Sequence, residues 1–191
     1  MNSIMKKLLS LVLLATVMFA CEEGVVITVP AGSSYAFDMN ANAVNSAQNN
    51  QTTVSQTVDV TTLVDEDSEQ IESIKLDKLT YEFSGYNNTS GDVVLMDLTI
   101  STKLNDTETP IMSISGVVVE NTGVVLAFED GNPSSELSAA QVASLESIMD
   151  NLQPFELIVT ADFTQGIDSD FKVNVAWELT ASIAQPTTGG G

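Results

Sequence analysis

The sequence lacks histidine and arginine altogether and contains one cysteine in 191 residues. Without histidine it cannot form a Ser-His-Asp triad, a Cys-His dyad or an imidazole–metal bond. Without arginine it has no bidentate clamp for phosphate or carboxylate. A single cysteine excludes an intramolecular disulfide and a cysteine–histidine metal site, and the glycines form no nucleotide-binding loop. We therefore expect no catalytic, cofactor or metal site of these common kinds.

Basic residues are also scarce, with six lysines against 26 acidic residues and a formal net charge of −20. The part of the chain after Cys21 contains only four lysines and all 26 acidic residues, so its formal charge is −22. Nucleic acid and a basic face for anionic lipid are excluded, because both need clustered positive charge. Such acidity is typical of a solvated surface, with binding of a cation or a basic partner as the alternative.

The first 20 residues have the form of an export signal. Lys6 and Lys7 are followed by a predominantly apolar stretch of thirteen residues, 8–20. This stretch is too short for the ~20 residues that span a bilayer as a helix. A positive start and a short apolar stretch are typical of a cleaved signal peptide. Ordinary signal peptidase prefers small residues at positions −1 and −3, whereas a cut before Cys21 leaves Met18 at −3.

The end of this segment, Met18-Phe19-Ala20-Cys21, resembles the lipobox of bacterial lipoproteins. Ala20 and Cys21 match that motif, whereas Met18 and Phe19 replace its usual leucine and small residue. The resemblance implies cleavage after Ala20 and a diacylglyceryl group on Cys21. Two or more acyl chains anchor a protein stably, at ~0.8 kcal/mol per buried methylene. The alternative is a plain secretory signal with an incidental cysteine.

Glu22 and Glu23 directly follow the cysteine, ahead of Gly24. This acidic pair resembles the surface-export signal of lipoproteins in Bacteroidota, which implies delivery to the outer leaflet of the outer membrane. With the signal segment and the strands described next, the chain is similar to the small surface lipoproteins of Bacteroidota. That resemblance implies a location and no activity. The alternative for Glu22 and Glu23 is a solvated acidic tether.

Beyond residue 25 the apolar residues recur with period two, which indicates strands with one buried face. The pattern is clearest over 171–183 and 155–163, and it recurs on even positions over 94–100. It predicts further strands at 25–29, 34–39 and 53–60, a hairpin over 117–128 and a loop over 40–51. In 74–83 the apolar parity changes across Asp77 and Lys78, which predicts a β-bulge.

One helix is predicted after Leu137. Ser138 can cap it, Gln141 can complete the capping box, and Leu137 can pack on Val142. Apolar residues then recur at helical spacing until Pro154 ends the run. We expect this helix to cover an edge of the sheets.

These elements predict an all-β fold, an antiparallel immunoglobulin-like β-sandwich with one packed helix. The predicted organisation is a signal peptide (1–20), a lipidated acidic tether (21–24), a β-sandwich domain (25–184) and a flexible tail (185–191).

Four other groups of residues are candidate sites. Residues 129–136 (EDGNPSSE) share the opening of a calcium loop, although turn and capping chemistry explains them as well. The acidic run 65–69 is read as a solvated loop, and Asp168 and Asp170 as turn residues. Tyr35, Tyr81, Tyr86 and Trp177 could stack on sugars, but parity assigns Tyr81 and Trp177 to the core and leaves Tyr86 near a surface loop.

The expected function is that of an outer-membrane, surface-exposed lipoprotein acting as a non-catalytic binding or scaffold module. Its expected partners are the membrane, through Cys21, and an extracellular ligand or protein. The alternatives are a carboxylate-dependent glycan hydrolase, because 26 acidic residues make a carboxylate pair nearly inevitable, and a calcium-stabilised adhesin-like module.

The lipid assignment predicts the behaviour of Cys21→Ser. Serine has no thiol for the thioether, so the variant is expected to remain uncleaved or to become soluble. Metabolic labelling with a palmitate analogue should mark the wild-type chain alone, and label on the variant would contradict the assignment.

Overall fold

The computed structural model describes residues 26–47, 50–64, 70–133 and 135–184. Cys21, Glu22 and Glu23, the acidic run 65–69 and the predicted tail 185–191 lie outside the described residues. Within them no helix has the length and apolarity needed to cross a membrane. The strands are β1 (Val26–Met39), β2 (Gln51–Val58), β3 (Ile71–Ser84), β4 (Leu95–Leu104), β5 (Thr107–Val118), β6 (Val125–Glu129), β7 (Phe155–Phe163) and β8 (Phe171–Ala184). The helices are α1 (Ala41–Ser46), α2 (Val60–Val64) and α3 (Ala139–Met149).

The strands form two four-stranded antiparallel sheets, in the orders β1-β8-β3-β6 and β2-β7-β4-β5. The predicted all-β antiparallel sandwich with a packed helix is therefore confirmed. The strand order adds a finer feature. The first strand pairs with the last and the second with the seventh, which is the double Greek key of a jelly roll and differs from the order in immunoglobulin domains.

The core lies between the sheets and is built from alternate residues of the strands. In β8 every odd position from Phe171 to Ile183 is buried, and the even positions are exposed or half-buried. The period of two is thus confirmed where it was clearest. Trp177 and Tyr81 lie in the core as parity predicted, only 2% and 7% exposed.

The predicted bulge near Asp77 is confirmed. The pairing of β3 with β8 shifts register between Leu76 and Lys78, so no residue of β8 lies directly opposite Asp77. Its carboxylate accepts a hydrogen bond from the Thr180 hydroxyl at 2.6 Å. The extra residue lets Ile74 and Leu76 face the core on one side of the bulge and Leu79 and Tyr81 on the other.

Helix α3 begins with the predicted capping box. The Ser138 hydroxyl accepts from the Gln141 N–H, and the Gln141 side-chain oxygen accepts from the Ser138 N–H. Its carboxylates reach the free edge of β3. Asp150 accepts from the Ile74 N–H at 2.6 Å and Glu146 from the Leu76 N–H at 2.9 Å. The short β6 pairs with only Lys78–Tyr81 of β3, so these amides would otherwise lack a strand partner. The prediction that the helix covers a sheet edge is confirmed.

Two predictions at the start of the domain were wrong. The segment 40–51 was predicted as a loop but contains α1, because the Asn40 side chain caps the Ala43 N–H at 3.1 Å. The two strands predicted at 25–29 and 34–39 form one continuous β1, paired along its whole length with β8. Pro30 does not interrupt β1, because an edge strand has one side on which no N–H is needed.

The hairpin predicted over 117–128 was also wrong. Strands β5 and β6 belong to different sheets, so residues 119–124 cross from one sheet to the other, and Gly123 does not have a positive φ. A two-residue hairpin instead joins β4 to β5. Its turn residues Asn105 and Asp106 have φ of 49° and 62°, as a type I′ turn requires of both central residues.

The long strands give the sandwich two distinct ends. Val26 pairs with Ala184 and Ile71 with Ile183 at one end, called here the Val26 end. Met39 pairs with Phe171 and Ser84 with Lys172 at the other, called here the Met39 end. Fourteen residues separate the ends along β1, which corresponds to roughly 45 Å at the rise of an extended strand.

The packing of α3 predicts a large effect of Leu145→Ala. Leu145 is fully buried, so truncation removes apolar contacts and leaves a cavity, lowering the free energy of unfolding by about 2–5 kcal/mol. Denaturant unfolding of the mature chain measures it. The control is Ser147→Ala on the exposed face of the same helix; equal losses in the two variants would show that Leu145 is not part of the core.

Candidate functional site

The candidate site lies at the Met39 end, where α1 and three loops meet. The loops are residues 85–94, 119–124 and 164–170, which lie between strands of the two sheets. Side chains of one segment form hydrogen bonds with backbone groups of another. The sequence contains the asparagines, aspartates and serines involved but does not reveal these contacts, since most join residues 35 to 129 positions apart.

Helix α1 is joined to the loop 164–170 by Asn45 and Asp170. The Asn45 amide donates to the Ile167 carbonyl at 3.0 Å and its oxygen accepts from the Ile167 N–H at 2.8 Å. Asp170 accepts from the Ala41 N–H at 2.8 Å. A Cβ on Gly166 would lie 2.6 Å from the Asn45 side-chain oxygen, so a larger residue there would displace Asn45 from its hydrogen bonds to Ile167.

The loop 119–124 is joined to the loop 85–94 in the same manner. Asn121 accepts from the Tyr86 N–H and donates to the Tyr86 carbonyl, both at 2.9 Å. The Thr122 hydroxyl accepts from the Phe83 N–H at 2.9 Å. The loop 119–124 is therefore held to the end of β3 and the start of the loop 85–94 by three side-chain hydrogen bonds and by a backbone bond from the Thr122 N–H to the Phe83 carbonyl at 2.9 Å.

Asp168 joins the loop 164–170 to the loop 85–94. Its carboxylate accepts from the Thr89 N–H at 2.8 Å and the Ser90 N–H at 2.7 Å. Hydrogen bonds from Ser90, and then from Thr89, lower the pKa of the Asp168 carboxyl below its ordinary value because they stabilise the charged form. Asp168 and Asp170 lie in the connection between β7 and β8, as their prediction as turn residues implies. Both also accept hydrogen bonds from backbone groups of distant segments.

A pocket of about 370 Å³ opens beside these contacts. Its lining residues are Asp38, Ser84, Gly85, Asp170, Phe171 and Lys172. The Lys172 ammonium lies 3.5 Å from the Asp38 carboxylate, and both side chains are exposed. Phe171 also lines the pocket, but it is buried and its ring packs in the core against Phe83, Tyr86 and Phe163. The pocket therefore combines two carboxylates, one ammonium and a hydroxyl.

The aromatic residues lie beneath this surface. Tyr86 lies in the loop 85–94, as its predicted place near a surface loop requires, but its side chain is only 6% exposed. Its ring contacts Phe171 at 5.9 Å between centroids, because the loop 85–94 turns the side chain inward. The Tyr86 hydroxyl is buried without a hydrogen-bond partner in the part of the chain described. Tyr35 packs on Trp177 at 5.3 Å, so the four aromatic side chains do not form an exposed sugar-stacking platform.

The Met39 end carries mainly negative charge. Lys172 is the one lysine near it among the four that follow Cys21. The acidic residues on the strand ends and loops there are Asp38, Asp92, Asp97, Glu120, Asp162, Asp168 and Asp170. A ligand approaching this end meets a negative potential, which disfavours anions.

Two of these carboxylates, Asp97 and Asp162, are direct cross-strand neighbours on β4 and β7. They line a second pocket of about 240 Å³, and such neighbours have Cβ atoms about 4.5–5.5 Å apart. Asp97 accepts from the Gly116 N–H at 2.8 Å. Both residues are exposed, whereas a carboxyl that acts as a general acid near neutral pH is usually shielded from water.

The calcium hypothesis for residues 129–136 gains no support from the contacts of this segment. Asp130 binds the Lys75 ammonium at 2.6 Å. The hydrogen bond and charge of Lys75 lower the pKa of Asp130, and the same contact raises the pKa of Lys75. The Asn132 amide donates to the Glu129 carboxylate at 3.2 Å. Over the described ranges, no three acidic, cysteine or histidine side chains are grouped as a metal ion would require.

Comparisons with known proteins give a likeness of fold alone. No protein-family model and no curated protein matches the chain. Among solved structures, the chain is similar to the decameric BFDV capsid protein, with 7% identity, 82% and 99% of the two chains covered and a TM-score of 0.40. It is also similar to desmodium yellow mottle tymovirus (8% identity, 88% and 93% covered, TM-score 0.36) and to turnip yellow mosaic virus (11%, 88% and 100%, 0.33).

The lowered pKa of Asp168 predicts a pH-dependent stability. Since its pKa is lower in the folded chain than the unfolded value of about 3.9, the ionised carboxylate stabilises the fold above that value, and the effect disappears as the pH falls through the folded pKa. Asp168→Asn should therefore lower the melting temperature at pH 7, and the gap to wild type should close in acid. Asp92→Asn, at an exposed position of the neighbouring loop 85–94, is the control. A gap unchanged in strong acid would contradict a role for the charge.

Proposed function

We propose that this chain is an outer-membrane, surface-exposed lipoprotein that acts as a non-catalytic binding or scaffold module. In this proposal Cys21 carries the lipid, Glu22 and Glu23 direct export to the cell surface, and the Met39 end meets the extracellular ligand or protein. The likeness to surface lipoproteins of Bacteroidota rests on residues 1–23, and the sandwich supplies the geometry for the rest.

The observation that carries the proposal is the separation of the two ends. Val26 lies at the end opposite to the 370 Å³ pocket. Four residues lie between Cys21 and Val26, and the five Cα–Cα steps that join the two can span at most about 17–18 Å. A lipid on Cys21 would therefore hold the Val26 end near the membrane and leave the Met39 end roughly 45 Å farther out along the strands.

The hydrogen bonds among the loops support binding as the role of the Met39 end. Asn45, Asn121 and Asp168 hold the loops to one another before any ligand arrives. A surface ordered in advance loses less conformational entropy on binding. The pocket volume is within the range usual for small-ligand sites.

The charge of the pocket favours a ligand with hydroxyl or cationic groups. Asp38 and Asp170 can accept hydrogen bonds, and Lys172 can donate them. The surrounding carboxylates disfavour a phosphate or a polyanion. A neutral polar molecule, such as a glycan segment, or a basic peptide fits this chemistry.

A glycan hydrolase is the second candidate, favoured by the neighbouring carboxylates of Asp97 and Asp162. Retaining glycosidases place two carboxyl groups about 5–5.5 Å apart. However, the Asp97 carboxylate is engaged by the Gly116 N–H, and both residues are exposed to water. We therefore prefer a binding role.

Surface display is tested with proteinase K on intact cells. The wild-type chain is expected to be degraded or released while a periplasmic control protein survives. Glu22→Ala with Glu23→Ala should restore protection and leave the lipid in place, as palmitate labelling would show, because these changes remove the sorting charges and keep Cys21. A wild-type chain protected in intact cells would mean that the domain faces the periplasm, and the proposal would fail.

A further inference from the structure

One narrow side of the sandwich is almost without charge. Residues 26–58 contain a single charged residue, Asp38, although the chain has 26 acidic residues. This segment forms β1, α1 and β2. We call it the uncharged side. Like charge opposes the approach of a second acidic protein to this chain, and the opposition weakens where charged residues are few.

Strands β1 and β2 are edge strands of the two sheets and lie next to each other on this side. The Gln56 amide of β2 donates to the Ala36 carbonyl of β1. The side chains of β2 that face inward, Thr52, Val54 and Gln56, remain partly exposed. Those of the adjacent β7 are buried at every inward position. No strand other than β7 pairs with β2 among the residues described, so its second edge offers unpaired backbone groups.

The other three edge strands carry features that discourage pairing. β1 contains Pro30, and β6 has five residues and ends at Glu129. β5 contains Glu108 and Pro110 and two shifts of register. The Gln141 side chain of α3 also donates to its Ile111 carbonyl at 2.7 Å. Proline, charge, irregular pairing and short length are the usual protections of an edge.

β2 has none of these protections. Its sequence, QTTVSQTV, has eight residues without charge, proline or glycine. Its pairing with β7 runs in regular register from Gln51 to Val58. Threonine and valine favour strands. An exposed regular edge of this composition is a template for pairing with another strand.

We propose that β2 is a homotypic interface at which it pairs antiparallel with β2 of a second copy of this chain. A second copy is the occupant that the charge pattern favours, because two chains of charge −22 can approach through their uncharged sides. An antiparallel pair of identical strands is self-complementary under a twofold axis. This pairing would join the four-stranded sheets that contain β2 in the two copies into one continuous sheet of eight strands.

The antiparallel orientation of the two β2 strands determines how two anchored copies would be arranged. Antiparallel β2 strands point the two Val26 ends in opposite directions. If the proposed lipid anchor on Cys21 holds, the pairing therefore links copies on two facing membranes and not neighbours in one membrane. The pairing itself does not depend on the anchor, so it is tested on the chain from Glu22 to Gly191, which carries no lipid and contains every described element.

The test is sedimentation of this chain over a concentration series at physiological ionic strength. The wild-type chain should show a reversible monomer–dimer equilibrium. Ser55→Glu should weaken dimerisation at least tenfold, because a twofold axis puts residue 55 opposite residue 53 or 55 of the other copy, where like charges repel. Ser73→Glu adds the same charge to an exposed position of β3 and should leave the equilibrium unchanged.

A mixing experiment separates pairing from misfolding. Ser55→Lys and Ser55→Glu should each dimerise poorly alone and form a mixed dimer together, because opposite charges then meet across the interface. A wild-type chain that stays monomeric up to millimolar concentration would overturn the proposal. So would a Ser55→Glu dimer as stable as wild type, or a failure of the two variants to combine. None of these results depends on whether the protein is displayed at the cell surface.

Discussion

The pairing of β8 with β1 on one side and β3 on the other is the interaction on which the rest of the structure depends. These three fourteen-residue strands run the length of the sandwich. The buried odd positions of β8, including Val175 and Trp177, form the centre of the core. Because the first strand pairs with the last, residues far apart in sequence are fixed in register. A shift by one residue would turn this apolar face to water.

The same pairing places the Val26 end and the Met39 end at opposite extremes of the sandwich. The Val26 end receives the chain from the predicted anchor, and the edge of β3 near it is completed by the carboxylates of α3. The Met39 end collects the loops, whose polar side chains satisfy one another's backbone groups. Loops that cross between sheets cannot form ladder hydrogen bonds, so asparagine and aspartate side chains take their place.

Charge determines which surfaces can meet a partner. The four lysines after Cys21 each lie within 4 Å of a carboxylate, and most of the acidic residues have no positive counterpart. This excess opposes association over most of the surface. It leaves two regions with distinct properties, the pocket at the Met39 end with its single ammonium and the uncharged side with its unprotected β2.

The class of fold follows from a local pattern, since the near-regular alternation over 171–183 favours a strand with one buried face. The sequence also determined the bulge at Asp77 and the capping box at Ser138, because parity and capping are local properties. The proposed lipid and sorting roles of Cys21, Glu22 and Glu23 rest on sequence alone. The tertiary structure was needed to learn that β5 and β6 belong to different sheets and that the Tyr86 side chain turns inward. It alone also brought Asp38, Asp170 and Lys172 around one pocket. These outcomes depend on which strands pair across more than a hundred residues, a choice made by the packing of the whole core and not by any local pattern.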